Sequence, residues 1–268
     1  MFKNNSFVFY VSNFLILCIV AFALIFSEFS LSLFKYLQKE ISENFGWFYV
    51  LTMSIIFFVM MFLCFSKYGD IKLGPDHATP KYSTPTWLAM LFSAGMGIGI
   101  MFFGVGEPLM HYLTPPDGDP NTIEAAKAAM NITFFHWGFS PWALYGLVAI
   151  VLAFFSYRHG LPLSLRSAFF PIVGKKIYGR FGDVIDIVAV IATLLGVATS
   201  LGYGVLQINA GFNYLFGMPI GKFSQISLVL VITLIVGISA FSGVDKGMKF
   251  LSNTNMILAI LLVLFILF

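Results

Sequence analysis

The sequence predicts an all-α polytopic membrane protein that crosses the bilayer about seven times. Three observations carry that prediction. The chain is 59% hydrophobic and 10% charged, with a mean hydropathy of +0.91, where a soluble domain is nearer one quarter charged. Its 32 phenylalanines in 268 residues would overfill a water-soluble core. Its few charges also lie between long charge-free intervals, each able to hold the roughly 20 apolar residues a helix needs to cross the hydrocarbon.

The intervals are 4–27, 44–66, 82–106, 128–157, 187–221, 223–244 and 250–268. The first follows Lys3 and has the look of a signal peptide, but it lacks a small-residue cleavage site and is read as a first span. The fifth is longer than a crossing requires and is expected to hold a span near 187–209 and an interfacial tail around "GFNYLFGMP". The last reaches Phe268 without a polar flank, so the chain is expected to be the N-terminal portion of a longer protein.

Lysines and arginines set the orientation. The N-terminus and the second, fourth and sixth connections hold Lys3; Lys67, Lys72 and Lys81; Arg158, Arg166, Lys175, Lys176 and Arg180; and Lys246 and Lys249. The other connections hold Lys35, Lys39, Lys127 and Lys222. That asymmetry predicts a cytoplasmic N-terminus and an ordered cytoplasmic element in 158–183. Asp183 and Asp186 sit where acidic residues favour the dipole of a helix starting there.

Catalytic classes find little support. The two cysteines, Cys18 and Cys64, lie in apolar runs and lack metal-ligand spacing. The glycines of 95–106 are not followed by Lys-Ser/Thr, so they are no phosphate-binding loop. A retinal-binding seven-helix receptor would need a lysine within "FLSNTNMILAILLVLFILF", which has none.

Two stretches invite a site. In "SAGMGIGIMFFGVGEPLMHY" three glycines, Gly95, Gly97 and Gly99, alternate inside an apolar span, each costing a helix about 1 kcal/mol relative to alanine. Gly95 and Gly99 alone would make a small-xxx-small packing motif. Gly97 on the opposite face favours local unwinding, which membranes tolerate where backbone lines a cavity and which transporters use to hold ions and anions. Glu107 and His111 end this span on its outer side, as an outer-edge cap or an ion pair holding the third span to its neighbour.

The fourth span offers Trp137, Trp142 and Tyr145. On one helix, Trp142 lies about 140° from Trp137 with Tyr145 between them. Pro141 is expected to kink the helix beside them. An interfacial belt or plain packing is the alternative reading.

With these residues in view, the chain resembles the betaine/choline/carnitine transporter family. The likeness runs through "GMGIGIMFFGVGEPLMHY", "FFHWGFSPWALYG", "GVATSLGYGVLQINAG" and "SGVDKGMKFLSNTNM", in family order. It implies a LeuT-like fold in which two leading helices (residues 1–80) precede the first inverted repeat (81–268), with the second repeat absent. It implies secondary transport of glycine betaine or a related quaternary ammonium, held by cation–π contact with Trp137, Trp142 and Tyr145 beside Gly95, Gly97 and Gly99. It implies sodium as a coupling ion near Ser93, Met96 and Thr193, although Val197 stands where a second hydroxyl is expected. No other cofactor is implied. The expected partners are the substrate, the lipid of the cell (inner) membrane and two further copies in a homotrimer, and no nucleic acid. The rival reading is a non-transporting binding or structural membrane subunit derived from half a transporter.

Overall fold

The computed structural model describes residues 6–268 apart from Met96 and Ile98, and the side chains of Ala94 and Ile100 are also outside the description. The described residues form helices and no strand. In chain order they are α1 (Ser6–Ile25), α2 (Ser27–Phe65), α3 (Thr84–Gly95), α4 (Gly104–Leu113), α5 (Ile123–Trp137), α6 (Phe139–Ala153), α7 (Phe170–Val173), α8 (Arg180–Phe216), α9 (Lys222–Ser242) and α10 (Lys249–Leu267). Single π turns occupy Gly99–Phe103, Phe154–Arg158 and Val244–Met248.

Six stretches among the described residues are long and apolar enough to cross a membrane: α1, α2, Ile123–Arg158, α8, α9 and Val244–Leu267. The sequence predicts a seventh at 82–106. There the structure has two short pieces, α3 of 12 residues and α4 of 10, with a π turn before α4.

Two connections differ from expectation. Residues 28–43, read as a charged loop, are helical: α2 runs 39 residues and only Phe26 separates it from α1. At 1.5 Å per residue it is roughly 58 Å long, about twice the hydrocarbon thickness. Charges end a membrane span but do not end a helix; Lys39 and Glu43 pair one turn apart at 3.8 Å. Likewise the tail expected after residue 209 continues α8 to Phe216. The chain then turns at Gly217, whose φ of +68° suits a residue without Cβ.

The chain divides into two compact units. The first joins residues up to Ala78 with Phe134–Leu195. Here α6 packs along α2. Arg158, ending the fourth span, donates from one guanidinium nitrogen to the carbonyls of Lys72 (3.0 Å) and Gly74 (3.1 Å) and to Asp76 Oδ1 (3.0 Å). Beyond it the 158–183 connection is ordered around a buried Arg166, which reaches Asp186 at 2.7 Å, Asp183 at 3.1 Å and the Ile177 carbonyl at 3.2 Å. The two aspartates that open α8 therefore hold this guanidinium as well as lying at the helix N-terminus. A buried arginine is tolerable only when paired in this way.

The second unit joins Thr79–Thr133 with Gly196–Phe268. Here α10 packs along α3. The block "SGVDKGMKFLSNTNM" supplies the polar part of that contact. Asp245 takes Lys81 at 2.8 Å and the Tyr82 hydroxyl at 2.5 Å. The Asp245 hydrogen bond raises the titration of both Lys81 and Tyr82 above their ordinary values. Deeper in, Asn255 donates to Ser93 Oγ at 3.1 Å and Ser93 donates to the Ser252 carbonyl at 3.4 Å.

Candidate functional site

The described part of the glycine stretch leads into a wider helical turn. Gly97 is α-helical, and from Gly99 to Phe103 the helix takes a π turn. Among the described residues the departure from α geometry covers Gly99–Phe103, as a change of helical pitch. Gly99 is buried. A Cβ on Gly97 would meet open space, so close packing does not account for that glycine. Gly97 instead lines a hollow of about 580 Å³ together with Phe92, Met101 and Asn255.

Two side chains of α8 face the π turn. Gln207 donates its amide to the Met101 carbonyl. The Tyr203 ring lies 4.9 Å from Phe102 and 5.6 Å from Phe103. Sequence reading passed over both, although a glutamine in a charge-free interval is a signal that some polar partner awaits it.

Ser93 thus stands with its hydroxyl engaged by α10. Gly95 ends α3, and Met96 lies outside the described residues. Thr193, in the other unit, donates to the Ala189 carbonyl of its own helix at 2.7 Å. Glu107 is buried and His111 Nε2 stands 3.5 Å from its carboxylate, one turn apart on the same helix, so this contact does not itself join the span to a neighbour.

The fourth span is discontinuous. It stops at Trp137, passes through Gly138 (φ −77°, ψ −143°) and restarts at Phe139. A Cβ on Gly138 would stand 2.7 Å from the Phe134 carbonyl oxygen, so the break needs glycine. This corrects two expectations. Trp137 and Trp142 lie on different helices, so the angle counted between them on one helix does not apply. Pro141 sits in the first turn of α6, where an N–H has no intrahelical partner to lose, and it starts a helix where a kink was expected. Trp142 and Tyr145 share a face of α6, with ring centroids 5.9 Å apart at 38°. Trp137 stands against His136 at 5.1 Å. Tyr145 also lines a hollow of about 820 Å³ beside Tyr49, Ser54 and Ser140; Trp137 and Trp142 are not among its walls.

Helices interrupted within apolar spans, with aromatic and polar side chains beside the interruptions, recur in helical membrane proteins that bind small solutes. The chain is a multi-pass helical membrane protein. Residues 7–268 match the family model for betaine/carnitine/choline family transporters, and the chain belongs to that family, whose fold is LeuT-like. It is 50% identical over 87% of its length to a glycine betaine transporter of Acinetobacter baylyi, covering 35% of that protein. It is 45% identical over 99% of its length to the high-affinity choline transport protein of Escherichia coli K12, covering 39%. To the glycine betaine transporter OpuD of Bacillus subtilis it is 48% identical over 86% of its length, covering 45%. The chain therefore spans less than half the length of these relatives, and the family is one of transporters, not enzymes.

Proposed function

We propose that this chain is the N-terminal portion of a secondary transporter that imports glycine betaine or a related quaternary-ammonium osmolyte. Residues 1–80 form its two leading helices and 81–268 its first inverted repeat. The observation that carries the reading is the paired aromatic face of Trp142 and Tyr145, set just after the Gly138 break in a membrane span. A trimethylammonium group has no N–H to donate, and aromatic faces are what a protein has to offer it. Trp137, Trp142 and Tyr145 bind the cation, and Gly95, Gly97 and Gly99 also belong to the substrate-binding set. Sodium is the coupling ion, with Ser93, Met96 and Thr193 contributing to its sites. The relatives named for glycine betaine and for choline support the substrate class. The homotrimer rests on the family resemblance alone.

The test is uptake of radiolabelled glycine betaine and choline by cells producing the whole transporter, with sodium or with potassium outside. Saturable betaine uptake that falls at least tenfold without sodium is expected. Sodium-independent uptake would remove the coupling ion, and no uptake of either solute would leave the structural-subunit reading.

The cell (inner) membrane is the proposed location, with the N-terminus cytoplasmic, on the strength of eleven basic residues against four on the two sets of connections. In a background lacking Cys18 and Cys64, Lys175→Cys should react with a membrane-impermeant maleimide only from the cytoplasm and Asp117→Cys only from outside. Both positions are exposed. Reversed labelling overturns the orientation.

A further inference from the structure

A π turn carries one more residue than the α turn it replaces, and where the two helix types meet one carbonyl loses its in-helix donor. In an apolar span that carbonyl cannot turn to water. The structure has such a turn at Gly99–Phe103, and the Met101 carbonyl within it accepts the Gln207 amide. Four residues earlier on α8, Tyr203 covers Phe102 and Phe103. Residues four apart lie on one helix face, so a single face of α8 supplies both contacts. The opposite face carries the buried Val205 and Asn209, and Asn209 donates to the Pro219 carbonyl at 3.2 Å. That second contact holds α8 against the turn into α9.

We propose that Tyr203 and Gln207 clamp the third span in its widened register, and that Gln207 is a positioning residue for the substrate and ion positions at Ser93–Gly99. The proposal rests on the transport reading above for its consequence, but its geometry stands apart from it. Losing the extra residue of the π turn would rotate one half of the span against the other by about 100° and slide it by about 1.5 Å. Ser93 and Gly97 would then change their facing relative to Glu107 and His111. Gln207 opposes this because its amide meets the Met101 carbonyl inside the turn.

The experiment uses the whole transporter without Cys18 and Cys64, carrying spin labels at Leu91→Cys and Met110→Cys, both exposed and on either side of the turn. Gln207→Met keeps the length and apolar volume of the side chain and removes its N–H. The expected result is wild-type amounts in the membrane, a shifted or doubled label-to-label distance, and a KM for betaine uptake raised tenfold or more with Vmax changed less than threefold. Tyr203→Leu should shift the distance in the same sense by less. If Gln207→Met does not reach the membrane, Tyr203→Leu decides: a shifted distance supports the clamp and an unmoved one overturns it. An unmoved distance in Gln207→Met overturns the clamp even if KM rises, and a moved distance with unchanged KM overturns the positioning role. Should the unmodified protein show no uptake, the transport reading fails while the label distance still judges the clamp.

Discussion

The third and fourth spans are both interrupted, and they are interrupted in different ways. The fourth stops and restarts at Gly138, with Trp137 ending one helix and Phe139 opening the next. The third, among its described residues, widens at Gly99–Phe103. The first device is local. A glycine admits the Phe134 carbonyl where a Cβ cannot go, and Pro141 settles the new first turn. The second device draws on a distant residue, because the Met101 carbonyl within the turn accepts from Gln207, 106 positions away. A break written into its own segment is rigid. A turn contacted from a neighbouring helix can be altered by moving that neighbour.

Substitutions at the fourth-span break sharpen this contrast. The largest effect is expected from Gly138→Ala, since the added methyl meets a backbone oxygen that cannot step aside. It should destabilise the protein by about 1–3 kcal/mol, the usual cost of overpacking, read as a lowered melting temperature in detergent. Pro141→Ala should cost no more than about 1 kcal/mol, because proline in a first turn contributes mainly by restricting the unfolded chain. A Pro141 effect as large as that of Gly138 would return the fourth span to a proline-kinked single helix.

The same contrast explains what was legible in the sequence. Spans are visible because apolar length and charge are properties of a segment, so α1, α9 and α10 fall within a few residues of their intervals. Helix ends in water are not visible that way: the charges of 28–43 mark the end of the membrane but leave α2 continuous. Gly138 was passed over because Pro141 nearby offered a more familiar cause for the same bend. The glycines at 95, 97 and 99 drew attention to the right span, yet the change of pitch runs on into "GIMFF", whose residues carry no local mark. Tyr203 and Gln207 touch that turn from α8, and no reading of residues 93–112 alone contains them. The same holds for Asn255, which meets Ser93 from α10. Site residues on one helix face, such as Trp142 and Tyr145, could be paired from spacing. The pairing of Trp137 with Trp142 could not be obtained so, because the count assumed an unbroken helix between them.

The central claim is that the aromatic face after the Gly138 break binds a quaternary ammonium. A trimethylammonium over a ring gains about 0.5–2 kcal/mol per contact, so losing the Trp142 ring should weaken betaine binding roughly 2- to 30-fold, at 1.4 kcal/mol per decade. The direct measurement is betaine affinity of the purified whole transporter for the wild type, Trp142→Leu and Trp142→Phe, each checked for amount in the membrane. Leucine should lose affinity within that range, and phenylalanine, which keeps a ring face, should lose clearly less. Equal losses for leucine and phenylalanine, or none for either, would make Trp142 a packing residue and contradict the claim.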